Sequence, residues 1–62
     1  MDTKEVLYEL RMRKGLSQSE LADKVFVTRQ AVSRWEKGHY EPTMETKRKL
    51  KKLFEEAGIK ED

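Results

Sequence analysis

Three glycines and a single proline punctuate this chain more firmly than any other feature. Gly15, Gly38 and Gly58 are widely spaced, Pro42 follows the second of them, and each intervening stretch is of helical length. None of those stretches alternates apolar and polar residues as a half-buried strand does. The pattern therefore predicts an all-α fold. At 62 residues there is room for one core, and neither an internal repeat nor a low-complexity linker suggests a second unit. A chain of this size buries only about 60% of its unfolded surface and is marginal unless very regular or stapled. Cysteine is absent, which excludes disulfide and thiolate-zinc staples and suits a reducing cytoplasm. Apolar residues make up 35% and charged residues 42%, a lean ratio, but the net charge of +2 leaves little self-repulsion. No apolar run approaches the roughly 20 residues of a membrane helix, and no signal-peptide pattern opens the chain. The length argues against most enzyme classes and leaves a compact helical binding module or a partly disordered peptide.

The first predicted helix spans about 2–14. Asp2 and Glu5 form a capping-box pair, Val6, Leu7 and Leu10 mark one face, and Gly15 stops the helix behind Arg13 and Lys14. A second start lies in Ser17-Gln18-Ser19-Glu20, giving a short helix over about 17–25 that buries Leu21, Ala22 and Val25. Thr28 caps a third helix over about 28–37, with Ala31, Val32 and Trp35 inward and Gly38 as its stop. Thr43 caps a fourth over about 43–57, whose apolar positions are Met44, Leu50, Leu53 and Phe54. Helices two and three are so short, and so closely joined, that they must cross steeply. A steep pair braced by flanking helices is the helix-turn-helix arrangement, which exposes the outer face and leading end of its second helix.

On that third helix the residues left outside are Arg29, Gln30, Ser33, Arg34 and Lys37. Arg29 and Gln30 stand where a helix entering a major groove end-first meets base edges. Arginine can donate two bonds to guanine O6 and N7, and glutamine can pair with adenine N6 and N7. Ser33, one turn on, can reach a base or a phosphate. Thr28 and Arg34 suit the sugar–phosphate edge, and Gln18 can set its amide and nearby backbone N–H groups against a phosphate. Any one of these polar residues could simply be solvated; their gathering on the leading end of one tight corner argues otherwise.

The stretch from Leu10-Arg11 through Gly15-Leu16-Ser17-Gln18, Leu21-Ala22 and the run Val27-Thr28-Arg29-Gln30-Ala31-Val32-Ser33-Arg34-Trp35-Glu36-Lys37-Gly38 to Pro42 resembles the lambda-repressor/Cro-like (XRE-type) helix-turn-helix family. The resemblance implies a bundle of four helices, with room for a short fifth. It also implies sequence-specific binding of double-stranded DNA by a prokaryotic or phage transcriptional regulator, with repression the expected sense. Such proteins are usually symmetric dimers on palindromic operators. Carried over residue by residue, it gives Gln18 the buttressing of a phosphate contact and Arg29 and Gln30 the reading of bases. Ser33 and Arg34 complete the recognition face, and the loop of Lys37, Gly38, His39 and Tyr40 grips the backbone. Arg11 and Glu36 occupy positions that pair as an inter-helix salt bridge. This chain departs from the pattern in two places. Phe26 stands in the turn where glycine is usual, so the turn differs or holds strain, with the ring packed over the corner or exposed to a partner. Lys47 and Lys51 stand in a fourth helix that is normally more aliphatic.

Lys47-Arg48-Lys49-Leu50-Lys51-Lys52 carries five positive charges and no acid. Glu55 and Glu56 lie within helical reach of Lys51 and Lys52, so the run is either a face laced with weak pairs or a source of attraction to DNA phosphates. Its thin apolar stripe argues against a membrane surface. Trp35 has the period of a core residue. A lone histidine, His39, without cysteine or suitably spaced carboxylates makes no metal site. No nucleophile–base pair or phosphate-cradling loop is present, so neither an enzyme nor a cofactor or small-molecule ligand is expected. The expected location is the cytoplasm, at the nucleoid. The competing reading is a protein-interaction module, such as an antitoxin-like partner binder, using exposed Phe26, Tyr40, Ile59 and the thin stripe of helix four.

Overall fold

A computed structural model describes residues 3–59. Four helices follow one another: α1 (Thr3–Lys14), α2 (Gln18–Lys24), α3 (Arg29–Glu36) and α4 (Met44–Glu56). Among the described residues there is no strand. The capping role expected of Asp2 lies outside the described residues, as does most of any fifth helix after Gly58.

The helix starts follow from side-chain chemistry. Ser17 Oγ accepts the Glu20 N–H at 3.1 Å while Glu20 Oε1 accepts the Ser17 N–H at 2.8 Å. That second bond, then the Ser17 hydroxyl and the charge of Lys24, hold the Glu20 carboxyl below its ordinary range. Thr28 Oγ1 accepts from Ala31 N–H at 3.2 Å, and Thr43 Oγ1 from Thr46 N–H at 3.3 Å. Each cap satisfies a backbone donor that would otherwise be orphaned, a contribution of about 1 kcal/mol.

The helix ends share one device. The second residue past each helix's last capped position turns back and donates its N–H five residues upstream. The four bonds are Leu16 to Arg11 O (2.9 Å), Val27 to Ala22 O (3.0 Å), His39 to Arg34 O (3.1 Å) and Ile59 to Phe54 O (2.8 Å). This closure needs a left-handed residue before the donor. Glycine supplies it three times, and Phe26, at φ 61°, supplies it at the end of α2. The turn therefore keeps the glycine geometry and holds the strain of an L-residue there, about 1–2 kcal/mol. Its ring is 81% exposed, with the Lys49 ammonium 5.0 Å from the ring centroid.

One apolar cluster joins Val6, Leu7 and Leu10 of α1, Leu21, Ala22 and Val25 from α2 and its end, Val32 and Trp35 of α3, and Leu50 and Phe54 of α4. Ala31, Val27 and Leu53 are partly buried against it. Two sequence expectations are corrected. Ile59, expected outside, is only 7% exposed, because the closure after Gly58 folds it back onto the core. Met44, expected among the apolar positions of α4, is 72% exposed, since the first turn of α4 faces the core with Thr46 instead. The far ends of α1 and α4 are also tied together. Arg13 donates to Ala57 O (3.1 Å) and Gly58 O (3.3 Å), and Lys14 pairs with Glu56 at 3.1 Å. These bonds place cations against the carbonyl end of α4, where its dipole favours them.

Candidate nucleic-acid interface

The segment Val25–Thr28 joins α2 to α3, and the burial of Leu21, Ala22 and Val25 against Val32 and Trp35 fixes the corner. With Val32 and Trp35 inward, helical periodicity turns Arg29, Gln30, Arg34 and the C-cap Lys37 to the exposed side, and Ser33 is half-buried between them. Arg29 and Gln30 occupy the first turn, immediately beyond the Thr28 cap. Thr28 Oγ1 is engaged as the acceptor for Ala31 N–H and retains its own O–H as a donor. The only acid in α3 is Glu36, at its last position, so the leading end carries cationic and neutral groups alone.

Glu36 belongs to a half-buried cluster between three helices. Arg11 Nη1 donates to Glu36 Oε1 at 2.7 Å and Arg11 Nε donates to Leu16 O at 3.2 Å. Gln18 Nε2 donates to that same Glu36 oxygen at 3.2 Å. The side chains of Arg11 and Glu36 are 19% and 12% exposed, and Glu36 Oε2 is buried without a partner. The pair thus joins α1 to α3, and Gln18 is held by one amide N–H at the start of α2. Its second N–H and its oxygen stay available. Two charges with so little access to water depend on each other heavily, because either one alone would be buried uncompensated.

The chain leaves α3 through Gly38, and His39 N–H closes back onto Arg34 O. This reversal brings the Tyr40 ring against the Arg34 guanidinium, 5.5 Å from it to the centroid. Both residues and His39 are exposed. Sequence reasoning assigned Arg34 and Tyr40 separately to the backbone edge and missed this stacking. Their separation across Gly38 was the available signal. The structure brings Arg29, Gln30, Ser33, Arg34 and Lys37 onto one face, with Gln18 held at the α2–α3 edge by Glu36.

The basic run of α4 does not form the intrahelical pairs its spacing suggests. Glu56 is taken by Lys14, and among the described residues no ion pair joins Lys51 or Lys52 to Glu55 or Glu56. Lys47 approaches Glu41 at 3.8 Å and Lys49 approaches Glu45 at 4.0 Å. Among the described residues no three His, Cys, Asp or Glu side chains gather as a metal site, and no helix is long and apolar enough to cross a membrane.

The model of the helix-turn-helix family matches residues 7–60, which takes in the whole corner and all of α2, α3 and α4. The chain belongs to the XRE-type helix-turn-helix family. It is similar to the HTH-type transcriptional activator BcrR of Enterococcus faecalis, with 41% identity over 54 residues. That match covers 87% of this chain and 26% of the relative, so the chain spans about a quarter of the relative's length. No solved structure matches it. Helix-turn-helix domains are a class that binds DNA, and the second helix of the pair in this chain is α3.

Proposed function

We propose that this helix-turn-helix domain is a sequence-specific transcriptional regulator that inserts α3 into the major groove of duplex DNA. The observation that carries the reading is the exposure of Arg29 and Gln30 on the first turn of α3, beside a cap and with no acid in that turn. In this reading they read bases with Ser33, while Gln18, Thr28, Arg34, Lys37, His39 and Tyr40 hold phosphates. Arg11 and Glu36 brace the corner. Two copies form a symmetric dimer on a palindromic operator, with half-sites about 34–36 Å apart. The regulator acts in the cytoplasm, at the nucleoid. Repression is the sense we assign, because occupying the site is sufficient for it.

Selection from random duplexes followed by binding measurements tests the reading. Arg29→Ala or Gln30→Ala should weaken binding to the preferred site by about 1–3 kcal/mol and leave random duplex little affected. Equal losses on both would remove base readout from these side chains. The selected sequences should show twofold symmetry. A reporter with that site overlapping its promoter should lose signal, and a gain would assign activation instead.

A second reading, a protein-binding module, is favoured by one observation: the exposed Phe26 ring on strained backbone. It loses Ile59, which is in the core. Affinity for DNA that falls steeply with log[salt] separates the two, since the protein-binding reading predicts none.

A further inference from the structure

Helix α4 carries a surface that the recognition face does not account for. Lys47, Arg48, Lys51 and Lys52 are all exposed, on two successive turns. Lys47 and Lys51 are one turn apart, as are Arg48 and Lys52, a rise of about 6 Å in each case. Like charges at that spacing oppose helix formation. The acids within reach relieve them little, and among the described residues no ion pair joins Glu55 to Lys51 or Lys52. Glu45 approaches Lys49, Glu56 pairs with Lys14, and Glu41 reaches Lys47 only at 3.8 Å. A threonine cap, a glycine closure, and Leu50 and Phe54 in the core favour the helix. The stripe is therefore a feature of α4 that works against its own folding, and a polyanion would turn that repulsion into attraction.

The stripe also starts beside the loop assigned to the DNA backbone. Thr43 caps α4 three residues after Tyr40, and Lys47 approaches Glu41 of the same loop. We propose that the α4 stripe is a second, sequence-independent phosphate surface, extending the grip of the 37–40 loop along duplex DNA beyond the recognised half-site. This inference rests on the DNA-binding reading and adds a surface to it. Lys49 is not part of the stripe, being half-buried beside Phe26 and Glu45.

The test is the variant K47Q/R48Q/K51Q/K52Q in the full chain. Glutamine is a good helix former, so circular dichroism should show an intact fold with an equal or higher melting temperature. The slope of log K against log[salt] should shrink by about 3–4, at about 0.9 for each phosphate that the variant no longer neutralises. Wild type should gain affinity as flanking base pairs are added past the half-site, and the variant should not. The ratio of preferred to random binding should be unchanged. A slope change below about 1, or a collapse of the preference ratio, would overturn the proposal. So would retention of wild type but not the variant on phosphatidylserine vesicles with the DNA slope unaltered, which would assign the stripe to a membrane. If Arg29→Ala still abolishes sequence preference while the stripe variant changes nothing, the second surface fails alone. If wild type shows no salt-dependent binding to any duplex, the DNA reading fails with it.

Discussion

Phe26 shows how much of a corner a single residue decides. Its left-handed backbone holds strain that glycine would release, yet its ring lies against the Lys49 ammonium and ties the end of α2 to α4. An exposed cation–ring pair of that kind is worth about 0.5–1 kcal/mol. Phe26→Ala keeps the strain and removes the ring, so it should destabilise by about that amount. Phe26→Gly relieves about 1–2 kcal/mol of strain, removes the same ring and adds about 0.5–1 kcal/mol of chain entropy, and should remain near wild type. Urea denaturation of both variants checks the order; equal stabilities for Ala and Gly would mean that the backbone strain is no larger than the chain entropy glycine adds, about 0.5–1 kcal/mol. That this position would either turn differently or hold strain was legible from the glycine usual in the family. The fate of the ring was not, because it depends on Lys49, far along the chain and invisible to local spacing. Met44 and Ile59 teach the same point, since an apolar side chain goes inside only if its turn of helix faces the core.

At the scale of the element, starts were easier to read than surfaces. Ser17, Thr28 and Thr43 announce α2, α3 and α4 through bonds made within three residues, so the sequence contains the whole cause. The surface of α4 was harder: the i,i+4 rule offered Glu56 to Lys52, and Lys14 of α1 took it instead. The capping box of α2 makes a further prediction. The Glu20 carboxyl titrates lower in the fold than in the unfolded chain, where it sits at about 4.3. Its charge therefore contributes stability that is complete above the unfolded value and lost as pH falls through the folded one. Glu20→Gln can keep the hydrogen bond without the charge. The melting temperatures of wild type and this variant should differ at neutral pH and converge in acid, once the pH has fallen below the ordinary carboxylate range. A gap that stays constant down the acid limb would mean that the charge is irrelevant to the cap.

For the whole molecule the Arg11–Glu36 pair matters most among the polar interactions. Removing one partner of a buried pair costs about 3–5 kcal/mol, which is comparable to the whole stability of so small a core. Arg11→Ala should therefore be largely unfolded at room temperature by circular dichroism. Arg11→Met combined with Glu36→Leu should regain most of the helix signal, because no charge is then stranded. A folded Arg11→Ala would show that water reaches Glu36 Oε2. Both positions were legible from the family pattern; the orphaned oxygen and the shared bond from Gln18 were not, because they depend on how closely three helices meet. The four identical helix closures carry one more consequence. Each corner is measured out by a bond spanning five residues, with a left-handed residue and then a residue committed to its place. Exchanging a side chain there alters one interaction. Inserting a residue between Gly15 and Ser17, or between Val25 and Thr28, breaks the spacing that ties the left-handed position, the closing donor and the following cap to one another. The corners of this domain should accept changes of spelling far more readily than changes of length.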